Sequence, residues 1–251
     1  MTPESDYTWT KEQVLKYEQW LYSKQGSFIL KQEQKLLSHL LSPWPRRRQS
    51  FVDLGCGPGS FLNFFWKCGF EVHGVDKNPE MLKIARKATK GKIPLTLGDL
   101  THLPFDDDEF DFGSLILVLE FTKAPQRVLE EAKRIVKKGL LVGFLNKYSF
   151  YYLEKKVLSK GNPLAQARWY SWLEMKKLLT ATLAPESIYA RSVLPGPTCI
   201  WQDKKIYNFA HKFIYPVLCG SFIGVRLDFL KTVPLCTPLL VQEDTCQPVG
   251  N

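Results

Sequence analysis

Phe51-Val52-Asp53-Leu54-Gly55-Cys56-Gly57-Pro58-Gly59-Ser60-Phe61 is an apolar run that ends in an acid, passes through three alternating glycines and reopens into an apolar helical pattern. Physically this is a buried strand, a turn whose backbone must approach a ligand closely, and a helix start. A dinucleotide pyrophosphate loop spaces its glycines G-x-G-x-x-G. Here the third glycine comes one position early, at Gly59, and Ser60 stands where that pattern needs glycine. A nicotinamide oxidoreductase is therefore disfavoured.

Outward from this turn, short apolar runs alternate with helical patterns, as in a parallel sheet with crossover helices. Strands are predicted at 50–54, 71–75, 95–98, 110–118 and 139–145, with helices at 60–68, 79–90 and 124–136 between them. Upstream, residues 10–22 and 27–41 read as helices, with Thr10 as a cap and Gly26 as punctuation, and Ser42-Pro43-Trp44-Pro45 ends the second. After Asn146 the rhythm changes: helices are predicted at 148–158 and 171–183, strands at 187–194 and 221–228, and an aromatic helical segment at 203–217. The expected fold is α/β: a Rossmann-like, seven-stranded, mostly parallel sheet with helices on both faces and a closing antiparallel hairpin. Residues 1–49 form an N-terminal helical lid, residues 50–251 the main domain and residues 146–183 a cover inserted after strand five, effectively one domain.

The chain has 251 residues, 45% hydrophobic and 24% charged, which suits a soluble globular domain. No secretory leader and no run of about 18 uncharged apolar residues is evident, so the expected compartment is cytoplasmic. Six cysteines lack a C-x-x-C pair or a histidine at ligand spacing, so reduced thiols and no metal site are expected. The net charge of +9 could attract nucleic acid, anionic lipid or an acidic substrate. Its lysines and arginines are spread in small clusters, however, which favours solvated helix faces and ends.

Ligands of open α/β sheets bind beyond the carboxyl ends of the strands. Strand one ends at Asp53, strand two at Asp76 and strand three at Asp99. A carboxylate after strand two can accept both hydroxyls of a ribose. An acid and a backbone amide after strand three can grip the amine and ring nitrogen of an adenine. Any one of these acids alone reads equally well as a helix cap, but three in order with the glycine turn make a specific constellation. Asp106-Asp107-Asp108 reads as a solvated turn.

These residues, with Gly74-Val75-Asp76, Gly98-Asp99-Leu100, Leu103-Pro104-Phe105 and Phe110-Asp111, resemble the class I S-adenosylmethionine-dependent methyltransferases. Within that class they look like the small-molecule branch that includes the ubiquinone and menaquinone biosynthesis enzymes. The resemblance implies S-adenosylmethionine as cofactor, with Asp53, Gly55, Cys56, Gly57 and Gly59 against its methionine part. It implies Asp76 on the ribose, Asp99 on the adenine, and Lys77, Met81, Leu100 and Leu117 beside them. Tyr17-x-x-Trp20-Leu21 followed by Gly26 looks like the leader that folds over the cofactor in such enzymes, although aromatic packing alone would read the same. Relatives often carry Leu-Glu-His after strand four, where this chain has Leu119-Glu120-Phe121. No Asn-Pro-Pro-Tyr-like sequence follows that strand, which disfavours the amino-methylating nucleic-acid enzymes.

Methyl transfer from a sulfonium needs alignment and exclusion of water more than a dedicated base. Glu120, Asn146 and Tyr148, with Lys147 and Ser149, are the candidates near the acceptor, and Trp169, in Arg168-Trp169-Tyr170-Ser171-Trp172, is the candidate cover residue. His73 and His102 read as surface or structural residues, and His211, on an apolar helical stretch, as core or surface. The expected partner is a small-molecule acceptor rather than nucleic acid, with peripheral membrane contact through residues 206–225 as a further option. The competing classes are a methyltransferase fold that binds without turnover, and an RNA or protein methyltransferase. Neither the atom methylated nor the oligomeric state follows from these residues.

Overall fold

The computed structural model describes residues 9–157, 167–202, 207, 209 and 211–230. Seven strands form one sheet in the order β3-β2-β1-β4-β5-β7-β6. They are β1 Ser50–Leu54, β2 Glu71–Asp76, β3 Leu95–Leu97, β4 Phe110–Ile116, β5 Val136–Leu145, β6 Ser187–Pro195 and β7 Gly220–Asp228. β1 to β5 pair in parallel, and β7 runs antiparallel between β5 and β6. The order reverses between β1 and β4, and the crevice at such a switch point is where a doubly wound sheet binds its ligand.

The helices are α1 Lys11–Tyr22, α2 Lys24–Leu41, α3 Leu62–Lys67, α4 Pro79–Ala88, α5 Pro125–Ile135, α6 Phe150–Tyr152 and α7 Trp172–Leu183. One core joins α2 and α3 to a face of the sheet through Leu36, Leu37, Leu40, Phe51, Phe65 and Phe222. The other joins α5 and α7 to the opposite face through Val128, Leu129, Leu140, Val142, Leu179 and Val225. Both faces are covered, so the central strands are mostly buried and read as largely apolar runs.

Several boundaries differ from the sequence expectation, each for a local reason. The break between α1 and α2 falls at Ser23, not at Gly26. The Ser23 hydroxyl accepts the Gly26 N–H at 3.0 Å and so caps α2. Gly26 sits inside its first turn, where a β-carbon would stand 2.0 Å from the Trp20 carbonyl oxygen. β4 stops at Ile116 because Leu117 turns to φ 57°. β5 starts at Val136, directly from α5, rather than at Gly139. The helix expected over 148–158 is a three-residue helix followed by a single π-helical stretch at Leu153–Val157, and residues 158–166 lie outside the described residues. Of the aromatic segment expected at 203–217, residues 203–206, 208 and 210 also lie outside.

No described helix is long and apolar enough to cross a membrane. Cys56, Cys68, Cys199 and Cys219 are free thiols.

Candidate functional site

At the carboxyl end of β1 the chain makes the glycine turn. Gly55 N–H and Cys56 N–H both donate to the Val75 carbonyl, at 2.8 and 2.9 Å, which ties the turn to β2. Gly55, Gly57 and Gly59 have φ of 75°, 52° and 83°, a region costly to residues with a β-carbon. A β-carbon on Gly55 would meet Val118 Cγ2 at 2.6 Å. One on Gly57 would meet nothing within 4 Å, because Gly57 faces open cavity.

Asp53, 2% exposed, accepts the Ser114 hydroxyl at 2.6 Å. Burial pushes its carboxyl up to about 7, opposed by the Ser114 hydrogen bond and assisted by the charge of Asp76. Asp76 closes β2: Oδ2 accepts the Gly57 N–H and Oδ1 the Asn78 N–H, both at 2.8 Å, and the Lys77 N–H also acts on the carboxyl. A carboxylate offers more than one acceptor position on each oxygen, so the residue can fix the loop and still turn an acceptor to the cavity. Its carboxyl is raised by burial against the pull of those amides.

Asp99, exposed beyond β3, accepts the Thr101 N–H and hydroxyl on Oδ1, each at 2.8 Å, and these bonds hold its carboxyl below the ordinary range. Its Oδ2 makes no hydrogen bond among the described residues.

These groups line a cavity of about 850 Å³, large for a single small-molecule site. Asp53, Gly55, Cys56, Gly57, Asp76 and Lys77 lie on its wall. So do Met81, Asp99, Leu100 and Leu117. Gly59 does not; it faces Ala85, with a β-carbon 3.1 Å from the Ala85 Cα, and lets α4 pack closely on the turn. The residues present fit an adenosyl sulfonium: an open backbone turn at Gly57, carboxylate acceptors at Asp76 and Asp99, apolar sides at Met81 and Leu100, and the buried acid Asp53.

The N-terminal segment forms another wall. Trp9, Tyr17 and Trp20 line the cavity, with Trp9 5.3 Å from Tyr17 and Tyr17 stacked on Trp20 at 5.9 Å. The Trp9 carbonyl accepts the Asn78 side-chain amide at 3.0 Å, which ties this segment to the loop carrying Asp76.

The acceptor candidates are placed differently. Glu120 is buried, with Oε1 accepting the Leu145 N–H at 2.9 Å and Oε2 unpartnered; burial raises its carboxyl to about 7. Asn146 is buried in a backbone role, donating to the Gly220 carbonyl at 3.0 Å and accepting the Tyr148 N–H at 3.0 Å. Tyr148 is 73% exposed. None of these three lies on the cavity wall, nor does Trp169, which is buried against Tyr151 and Tyr152. Lys147 lies beside Glu174 on α7, and Ser149 caps α6 by accepting the Tyr152 N–H.

His73 pairs with Thr96 at 2.8 Å, His102 bridges to Asp99, and buried His211 contacts the Ile200 carbonyl at 3.0 Å. Among the described residues no group of three His, Cys, Asp or Glu is arranged to hold a metal ion.

Sequence reasoning passed over the wall remote from the glycine turn: Glu33, Tyr151, Trp201, Ser221 and Phe222. Glu33 did leave a signal. It lies at i+4 from Ile29 and i−4 from Leu37, inside the buried stripe of α2.

A model of the methyltransferase domain matches residues 52–143. An uncharacterized protein of Methanocaldococcus jannaschii is 40% identical over 115 residues, which are 43% of this chain and 52% of that protein. A demethylmenaquinone methyltransferase of Paenarthrobacter aurescens is 32% identical over 91 residues, 36% of each chain. The chain thus spans about half the length, or less, of the curated relatives it matches. A crystal structure from Thermotoga maritima, described as a SAM-dependent methyltransferase and possible histamine N-methyltransferase, superposes with a TM-score of 0.68 at 27% identity, covering 86% of this chain and 96% of that one. Sheet order, glycine turn and domain match agree: residues 52–143 are similar to a methyltransferase domain, and the chain has the Rossmann-like fold of the S-adenosylmethionine-dependent methyltransferases.

Proposed function

We propose that the chain transfers a methyl group from S-adenosylmethionine to a small-molecule acceptor. The observation that carries this reading is one continuous cavity, which runs from the glycine turn and its three strand-end acids to a chamber walled by Ile29, Glu33, Tyr151, Trp201 and Phe222. When bound, S-adenosylmethionine supplies an electrophilic methyl on a good leaving group. Asp76 receives the ribose hydroxyls and Asp99 the adenine amine, while the Gly57 backbone leaves room for the methionine part. Trp9, Tyr17 and Trp20 close the near side and keep water from the reacting pair. Leu117, held at φ 57° with its N–H on the Gly143 carbonyl at 2.8 Å, turns the end of β4 along the cavity wall between the two parts. The relatives named demethylmenaquinone methyltransferase and the aromatic lining of this end of the cavity support a small acceptor.

Titration calorimetry tests the donor half. S-Adenosylmethionine and S-adenosylhomocysteine are expected to bind and NADH is not; NADH binding alone would overturn the reading.

A further inference from the structure

We infer that the acceptor is an amine, its basic nitrogen held between the Glu33 carboxylate and the rings of Tyr17, Tyr151 and Trp201. This rests on the methyl-transfer reading and names the chemistry of its second chamber.

Glu33 is 6% exposed, and what remains open of it lies on the cavity wall. Its neighbours along the α2 stripe are Ile29, Leu36 and Leu37, all buried. Its carboxyl makes no hydrogen bond or ion pair among the described residues. An ionised carboxylate in such a place is costly unless a cation joins it. Nothing in the packing of α2 requires an acid there, since leucine would continue the stripe.

The surroundings suit a cation. Tyr17 stacks on Trp20, and Tyr151 lies 5.1 Å from Trp201, so aromatic faces line the same chamber as the acid. A nitrogen cation gains from aromatic faces as well as from a carboxylate. Glu120 adds a second acid within electrostatic range of Glu33, with one oxygen buried and unpartnered. Lys155, one of the lysines that line the cavity among the described residues, lies over the Tyr151 ring, 5.8 Å from its centroid. The titratable groups within electrostatic range of Glu33 are therefore Tyr17 from α1, Glu120 after β4 and Tyr151 from α6, while Lys16, Lys77 and Lys155 lie elsewhere along the cavity lining.

Burial and the charge of Glu120 lift the Glu33 carboxyl to about 8, which suits a group that takes a proton from an ammonium and later gives it up near neutral pH. Glu33 as carboxylate removes one proton from the bound ammonium and frees the nitrogen lone pair. That pair forms the new N–C bond while the S–C bond of the donor breaks, its electrons staying on sulfur. The product leaves as a methylammonium, and Glu33 returns its proton to water.

The test is calorimetry on the full chain saturated with S-adenosylhomocysteine, using phenethylamine, 2-phenylethanol and phenylacetate as probes in buffers of different ionisation enthalpy. At pH 7 phenethylamine is expected to bind about tenfold or more tightly than the alcohol, releasing most of one proton as Glu33 ionises. E33Q is expected to remove that preference and the proton release, with S-adenosylhomocysteine affinity unchanged. E33D, which keeps a carboxylate, is expected to retain proton release at reduced affinity, and melting curves verify that both variants fold. The inference is overturned if the amine fails to bind, binds no better than the alcohol or phenylacetate, or keeps its preference in E33Q. If S-adenosylhomocysteine itself does not bind, the methyl-transfer reading fails and takes this inference with it. Donor binding without amine preference sinks the inference alone.

Discussion

Asp76 holds the glycine turn and lies on the cavity wall, where we propose that it receives the ribose, so its loss removes two things at once. D76A is expected to weaken S-adenosylhomocysteine binding by about 10- to 100-fold, the range for charged hydrogen bonds. D76N keeps the shape and one acceptor and is expected to fall between; calorimetry reads both. Gly57 offers a complementary test, because its β-carbon position is open space on the protein side. G57V is expected to cost roughly 1–2 kcal/mol of stability from its positive φ, and to abolish donor binding by filling the cavity. Asp53, Asp76 and Asp99 were legible in sequence because an acid at a strand end breaks an apolar run. Glu33 was not, because an acid on an amphipathic helix ordinarily reads as its wet face. Only its phase among Ile29, Leu36 and Leu37 marks it as buried. Asn146 and Tyr148 were drawn to the site by their place after β5; the pairing of Asn146 with the Gly220 carbonyl depends on a contact 74 residues away in sequence.

Among elements, α5 anchors the loop that leads from β3 to β4. Arg134 donates to the carbonyls of Phe105 and Leu103 at 2.7 and 3.1 Å and pairs with buried Glu131 at 2.9 Å. Glu131 in turn accepts the Leu103 N–H at 2.9 Å, and the Arg134 bond first of all holds its carboxyl at about 2. R134M would leave that acid buried without its partner, and a loss of about 3 kcal/mol is expected in urea denaturation, the low end for a broken buried pair because Arg134 is 31% exposed. The order of strands and helices was legible because periods of 2 and 3.6 are local. The exact ends were less so: Ser23 outcompetes Gly26 as a boundary through one hydroxyl-to-amide bond, and β4 ends early at a strained leucine.

Across the whole molecule, the buried acids Glu33, Glu120 and Asp53 have folded-state carboxyls at about 8, about 7 and about 7, above ordinary values of 4.5, 4.5 and 3.8. Each favours the protonated fold. Their contribution is full below the ordinary values and is lost as pH rises toward the raised ones. The ligand-free chain is therefore expected to melt at progressively lower temperature from pH 5 to pH 8, and E33Q is expected to flatten that slope. Glu131, with its lowered carboxyl, acts in the opposite sense but only below about pH 4.5, outside this window. The sheet order, with β7 turned antiparallel between β5 and β6, brings Ser221 and Phe222 against the same cavity that starts at the β1 turn. Both ends of the cavity are thus products of one topology. The most direct measurement supplies S-adenosylmethionine labelled in its methyl group, together with a metabolite extract, and follows where the label goes. The expected result is label in a small molecule, dependent on the chain and lost in D76A. Label in RNA or protein, or none transferred while the donor is bound, would contradict the account.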